Sequence, residues 1–411
     1  MYLVLMPDAL PMLCLIISGN KLLKFANVFS ANIFVALTLR LLKFSDDLTL
    51  APSPIIYFHY MKKLLLLLIF PSVCFAQRYP YRNLVLEGGG VRGLAYAGAF
   101  SELDNKGILN QIEKVAGTSA GAIAGLMISV GYTASEIDSI MRTLPVEEFN
   151  DGKGGIVGKY RRVRNKYGLY KGRKFHVWVQ QLIKIKTGDI NLTFAGLHQL
   201  HLQNKLFKDF YCTATNLSKQ HLQIFSYEHT PAMTVALAVR ISGSLPFYFE
   251  PVVLDNQFRP IEKPDTLSFK NYYIDGGMIA NYPISIFDTC ENNGGPLQCD
   301  KLRFNRQTLG IKLERPAQID SLKNNSSSIP PFAIRSFRDY VHAFNNLMIE
   351  TLNRKYPGLE NEKDRTIHIS YGAIQSRVRK MKPAEKEMLF NNGVRAVSEF
   401  LNTNNHSPQD R

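Results

Sequence analysis

Two glycine-rich turns, at residues 88–93 and 117–121, bracket a single helix-like run, and this arrangement limits the fold more than any other feature. The apolar run Leu84-Val85-Leu86 reads as a buried strand and stops at Gly88-Gly89-Gly90-Val91-Arg92-Gly93. Leu94 to Lys106 then reads as a helix whose small residues Ala95, Ala97, Gly98 and Ala99 suit close packing on a sheet. A second short strand, Ile112 to Ala116, runs into Gly117-Thr118-Ser119-Ala120-Gly121. That pentapeptide has the G-x-S-x-G form of a nucleophile elbow, where a strand turns so sharply into a helix that only glycine fits beside the serine. Such a turn lifts the Ser119 hydroxyl out of the sheet. It also points the N-terminus of the next helix, Ala120 to Val130, at the serine oxygen, where helix-end N–H groups stabilise negative charge.

The alternation continues along the chain. Thr133 or Ser135, with Glu136 in the first turn, predicts a helix to about Leu144. Asn150 to Gly158 reads as a mobile glycine-rich loop, and Lys159 to Lys174 is strongly basic. Phe175 to Lys184 reads as a helix with Val177, Val179, Leu182 and Ile183 on its apolar side, and Thr193–Leu197 as a loop into another. Leu206–Thr215 and His221–Ser226 are strand candidates, Ala232–Ser242 a small apolar helix. Tyr272-Tyr273-Ile274 is a strand that ends on Asp275-Gly276-Gly277, and Thr308–Leu313 is a further strand. Helices at about 337–352 and 383–403 close the chain. Strands alternating with helices predict an α/β fold, a mostly parallel central sheet flanked by helices in a three-layer α/β/α arrangement.

With 411 residues, 45% of them hydrophobic, the chain can bury a full core. Residues 61–76, MKKLLLLLIFPSVCFA, have the make-up of a signal peptide: two lysines, an apolar core, and Ala76 before a cut ahead of Gln77. Met61 is therefore read as the start, with residues 1–60 as an upstream extension; the alternative is a membrane-embedded leader. Export to the periplasm, cell envelope or medium is expected. After residue 76 no apolar run approaches the ~20 residues of a spanning helix. Cys290 and Cys299 flank a Gly-Gly-Pro loop and could close a disulfide, whereas Cys212 reads as a buried free thiol. No zinc-like spacing is present, and neither metal nor cofactor is expected. The net charge is +15. The basic run 159–174 is a solvated face or a patch for anionic lipid headgroups; nucleic acid is not expected, because no recognition motif accompanies it.

Gly88-x-Gly90-x-x-Gly93 also fits a dinucleotide fingerprint, but that reading wants an acidic residue closing the second strand. Glu113 opens it instead, and the strand ends in the serine elbow. A nucleophilic serine needs a base and donors for an oxyanion. The turn 88–93 offers unhindered backbone N–H groups, and Arg92 either orients the loop or faces the substrate. For the base, His368 is the best of the later histidines for a Ser-Asp-His triad acting on small esters. Asp275 ends a strand before two glycines and could act directly if burial raises its pKa; alone, the same tripeptide would be a plain turn.

Taken together, Gly88–Gly93, Gly117–Gly121 and Asp275-Gly276-Gly277 resemble, in that order, the three motifs of patatin-like phospholipases. Val239–Val253, Gly168–Leu182 and Asn281-Tyr282-Pro283 are similar to further blocks of that family. The resemblance implies a catalytic Ser119–Asp275 dyad without histidine, and an oxyanion hole from the turn carrying Gly88, Gly89, Gly90, Arg92 and Gly93. Gly117, Thr118, Ala120 and Gly121 would shape the elbow, and Gly276 and Gly277 the aspartate turn. It also implies hydrolysis of phospholipid or related acyl esters at a membrane surface through an acyl-enzyme, with no cofactor. A non-catalytic lipid-binding protein on the same fold is the remaining alternative. The catalytic domain would span 83–313, with a helical part at 314–411 packed against it. Residues 240–244, Arg-Ile-Ser-Gly-Ser, depart from the family's small Ala-Ser-rich run, which could alter the acyl pocket.

Overall fold

The computed structural model describes residues 80–261, 270–290, 302–324, 329–354, 363–374 and 379–404. The signal-like segment, the stretch before it, Cys299 and His406 lie outside the described residues. Strand β1 (Asn83–Leu86) passes through the 3-10 turn Gly90–Leu94 into α1 (Ala95–Asn105). Strand β2 (Lys114–Gly117) enters α2 (Ala120–Ser129), and α3 (Ala134–Arg142) follows. Next come α4 (Gly155–Lys166), β3 (Gly168–Tyr170), α5 (Arg173–Thr187), α6 (Phe194–Gln203), β4 (Asp209–Asn216) and β5 (His221–Phe225). Helix α7 (Val235–Ser242) leads to β6 (Phe247–Phe249), β7 (Val252–Leu254) and β8 (Asn271–Asp275). The remainder is β9 (Thr289–Cys290), β10 (Leu302–Arg303), β11 (Thr308–Glu314), α8 (Pro316–Lys323), α9 (Phe337–Arg354), β12 (Thr366–Ser370) and α10 (Pro383–Asn404).

The main sheet has the order β12-β11-β1-β2-β4-β8-β7, with β5 also paired to β4. From β12 to β4 every pairing is parallel, while β5 and β8 run antiparallel to β4. This is a mixed, mostly parallel sheet flanked by helices. Its strands are buried on both sides, which is why Leu84-Val85-Leu86 is apolar throughout instead of alternating. Leu84, Leu86, Val115 and Phe210 face the larger core beneath the helices. Val85, Ala116 and Tyr211 face the other way, onto Tyr282, Ile284 and Ile286. Among the described residues no helix is long and apolar enough to cross a membrane.

Several local expectations meet a different outcome. Thr133 and Glu136 do form a reciprocal capping box at the start of α3. The glycine-rich stretch 150–158, however, is only partly a loop: α4 begins inside it, at Gly155. Val177 on α5 is exposed, and Phe175 takes its place with Val179, Leu182 and Ile183 in the core. Gly98 serves a helix instead of the sheet: a Cβ there would collide with the Phe390 carbonyl on α10, and one at Gly393 with the Ala95 carbonyl on α1. The C-terminal part is more than helices, because it supplies the edge strand β12. Cys212 is a buried free thiol and Cys290 is disulfide-bonded.

Candidate active site

Parallel register aligns the ends of β1 and β2, with Leu86 opposite Gly117, so the two glycine turns leave the sheet side by side. Beyond β2, Gly117 pairs with Cys212 and Ala214 pairs with Asp275, which brings the end of β8 to the level of the elbow. Ser119 has φ 53° and ψ −116°, a strained conformation for a side chain. Its neighbours enforce it. A Cβ on Gly117 would strike the Gly121 carbonyl, and one on Gly121 would strike the Leu86 and Glu87 carbonyls, so the strand and helix approach to backbone contact. Thr118 fixes the turn from beneath, with Oγ1 2.5 Å from Thr213 Oγ1 and donating to the Ala280 carbonyl at 3.0 Å.

The Ser119 side chain lies close enough to the Asp275 carboxylate to favour its charged form. Asp275 is almost fully buried and also accepts the Gly277 N–H at 2.8 Å. Burial pushes its pKa up from 3.8 to about 6, while the Ser119 side chain and the Gly277 N–H restrain the rise. Gly276 packs so tightly on Thr213 that no side chain would fit.

On the other turn, the Gly88 N–H donates to the Asn281 carbonyl at 3.0 Å and Gly90 sits at φ 58°. Gly93 faces Ala120 across the two turns. Arg92 orients the loop: its Nε donates to the Gly89 carbonyl at 3.1 Å and its guanidinium lies 4.1 Å over the Tyr371 ring. Beneath this turn Glu87 is buried, accepting from Asn281 Nδ2 at 3.0 Å and the Leu313 N–H at 2.7 Å. Burial raises its pKa to about 8, against the nearby Lys312 charge.

His368 does not join the serine. It lies on β12, three strands from β2, or ~14 Å at sheet spacing, and its Nδ1 is 2.9 Å from Glu314 Oε2. His342 is on α9, and its side chain lies outside the described residues.

Sequence reasoning missed three supports. Ser242 Oγ accepts the Ser119 N–H at 2.9 Å, and the Ser244 carbonyl accepts the Asp275 N–H at 3.0 Å. Both belong to the stretch 240–244 that departs from the family pattern. Arg240, in the same stretch, is buried and donates to the carbonyls of Gly172 (2.9 Å), Lys171 (2.9 Å) and Glu250 (3.1 Å), and to Ser244 Oγ. Burial lowers its pKa to about 10, and the charges of Asp151 and Glu250 oppose that. Asp151, at the foot of the supposed mobile loop, accepts the N–H groups of Gly172 (2.7 Å), Arg173 (2.7 Å) and Lys174 (3.1 Å) at the start of α5.

A family model described as patatin-like phospholipase matches residues 84–288. Uncharacterized protein R571 of Acanthamoeba polyphaga mimivirus is 29% identical over 329 residues, covering 78% of this chain and 93% of that protein. Uncharacterized protein YqhO of Bacillus subtilis is 32% identical over 217 residues, 50% of this chain and 67% of its own length. Probable lipid hydrolase 463L of Invertebrate iridescent virus 6 is 29% identical over 213 residues, 50% of this chain and 63% of its own. Among solved structures, VipD from Legionella pneumophila aligns with a TM-score of 0.49 at 19% identity, over 79% of this chain and 67% of that one. Matched from β1 through the serine elbow and past Asp275, the chain belongs to the patatin-like phospholipase family.

Proposed function

We propose that the protein is an exported serine acyl hydrolase that cleaves fatty-acyl esters of phospholipids or related lipids at a membrane surface, using Ser119 and Asp275. The observation that carries this reading is a strained, elbow-held serine placed beside a buried carboxylate whose pKa stands near 6. A base with that pKa is ionised at neutral pH yet basic enough to take a proton. In the proposed sequence Asp275 accepts the Ser119 proton as Oγ attacks the ester carbonyl. The tetrahedral oxyanion is held by backbone N–H groups of Gly89 and Gly90, since that of Gly88 is engaged by Asn281, with the α2 N-terminus behind the serine. Collapse expels the alcohol, which takes the proton back from Asp275, and leaves an acyl-serine. Water deprotonated by Asp275 then attacks the acyl-serine, and the fatty acid leaves. The name of the viral relative, a probable lipid hydrolase, supports the substrate class; the signal-like segment 61–76 supports export. The catalytic domain proposed is 83–313.

The test uses a fluorophosphonate probe and a phospholipid substrate on wild type, Ser119→Ala, Asp275→Asn and His368→Ala. Labelling and hydrolysis are expected to vanish in the first two variants, with kcat down by at least ~10⁴-fold for Ser119→Ala, and to persist in the third. Lipid hydrolysis surviving in Ser119→Ala would sink the assignment. Loss of labelling in a folded His368→Ala would move the base to histidine.

A further inference from the structure

Helix α4 buries none of its residues, and Ile156 and Val157 are 87% and 78% exposed, with Tyr160 exposed beside them one turn on. Helices this short are marginal unless something holds them. Here the hold is Arg162, whose Nε donates to the Leu169 carbonyl at 2.8 Å and whose Nη1 donates to the Lys153 carbonyl at 2.7 Å. The helix is thus clamped by its backbone neighbours while its aliphatic side chains point into solvent. Arg161 and Arg164 follow Val157 and Tyr160 by four residues, so they extend the same face.

The charge around this face is positive apart from Glu250, a half-buried carboxylate near Lys171, Lys166 and Arg162. No Asp or Glu occurs from Gly152 to Gly188. Asp151, the acid just before, is occupied by the N–H groups of α5. Lys153, Arg161, Arg164, Lys166, Arg173 and Lys174 are all exposed, and none joins an ion pair among the described residues.

The same surface is tied to the candidate site. From α4 the chain enters β3, which pairs with β6 so that Gly168 lies opposite Phe247. Phe247 is 72% exposed and held at φ 63°, and Leu245 beside it is also exposed. A bulky apolar residue fixed in the left-handed region with its ring in solvent is a strained arrangement. The preceding residues of that turn are Ser242 and Ser244, which hold the backbones of Ser119 and Asp275.

We propose that α4 and the 245–247 turn form a docking surface for an anionic lipid bilayer, with Ile156, Val157 and Phe247 entering the interface and the surrounding Arg and Lys side chains on the headgroups. Protruding aliphatic groups among unpaired cations match a bilayer interface, where both are accommodated at one depth. A nucleic-acid backbone would take the cations but leave Ile156 and Val157 in water. The inference rests on the lipid-hydrolase reading and adds which face meets the lipid and which headgroup charge it selects.

The test measures co-sedimentation of the full chain carrying Ser119→Ala with vesicles of phosphatidylcholine alone and of phosphatidylcholine mixed with phosphatidylglycerol. Binding should favour the mixed vesicles. It should fall roughly 100-fold when Arg161→Gln, Arg164→Gln and Lys166→Gln are combined, about fivefold for each lost charge. Ile156→Ser with Val157→Ser should weaken binding even at low salt. In the Ser119-intact protein both sets should slow hydrolysis of phosphatidylglycerol vesicles while leaving turnover of a water-soluble short-chain ester unchanged, which also shows that the variants fold. Equal binding to both vesicle types, unaltered binding by the variants, or displacement of the protein from vesicles by a DNA duplex at lower concentration would each overturn the proposal. If wild type binds mixed vesicles through α4 but hydrolyses neither substrate, the docking surface stands and the catalytic reading fails.

Discussion

Asp275 and Arg240 are both buried next to the elbow, and their burial has different consequences. Because the folded state raises the Asp275 pKa from 3.8 to about 6, it binds the proton more tightly than the unfolded chain does. The stability this contributes is complete below pH ~4 and is lost as pH rises through about 6, a cost on the order of 3 kcal/mol. Asp275→Asn, which can still accept from Ser119 and Gly277, should therefore be more stable than wild type at pH 8, by about 1–3 kcal/mol in urea. The two should converge at pH 4. Activity should show an acid limb near pH 6, since the ionised carboxylate is the proposed base; a limb near pH 4 would contradict the raised pKa. Arg240→Met would leave the carbonyls of Gly172, Lys171 and Glu250 without their donor, and should cost about 3–5 kcal/mol, read from urea midpoints. Lysine should restore little, since one ammonium cannot span these acceptors. Ser119 and Asp275 were legible in the sequence because glycines mark the turns they need. Arg240 was visible only as a departure from a pattern, because its partners are backbone carbonyls that carry no sequence signature.

Elements were legible where burial imposes a period and hidden where it does not. The strands around Leu84–Leu86 and Tyr272–Ile274, and the capping box at Thr133, announced themselves through apolar runs and cap chemistry. Helix α4 did not, since it has no buried face to create a pattern and starts among glycines that read as loop. The contact between α1 and α10 was half legible: small residues signalled a close approach, but their partner lies nearly 300 residues away in sequence. There Gly98 and Gly393 let two backbones touch. Gly98→Ala has no flexible neighbour to displace, because the obstruction is the Phe390 carbonyl, so the helices must move apart. We expect a loss of about 2–4 kcal/mol, at the upper end of overpacking effects. Probe labelling of Ser119 should fall as well, since α1 continues directly from the glycine turn beside the elbow. Exposed Ala→Gly changes in helices should cost only ~1 kcal/mol by comparison. A Gly98→Ala protein melting within a degree or two of wild type would mean that this contact is not close in solution.

At the scale of the whole molecule, the family match ends at residue 288, but the sheet does not. Strand β1 carries the glycine turn 88–93, the proposed oxyanion site, and is flanked by β2 on one side and β11 on the other, and β11 is flanked in turn by β12. A chain stopped after residue 288 would leave β1 as an open edge, with its N–H and C=O groups unpaired. It would also lose the Tyr371 ring under Arg92, the Leu313 N–H on Glu87 and the whole α10 face against α1. Each of those groups touches Glu87, the turn 88–93 or the helix that continues from it. We therefore expect the shortened chain to be insoluble or unfolded by circular dichroism and unlabelled by fluorophosphonate. A chain stopped after Asn404 should melt and label like the 411-residue chain. A chain stopped after Lys323 separates two causes, because it keeps β11 but lacks β12 and α10. If it folds but labels poorly, the C-terminal part acts mainly by positioning the turn 88–93; if it does not fold, β12 and α10 are part of the core itself. A soluble, fully labelled chain ending at 288 would show that the 84–288 segment is a self-sufficient domain and that the parallel strands beyond it are dispensable.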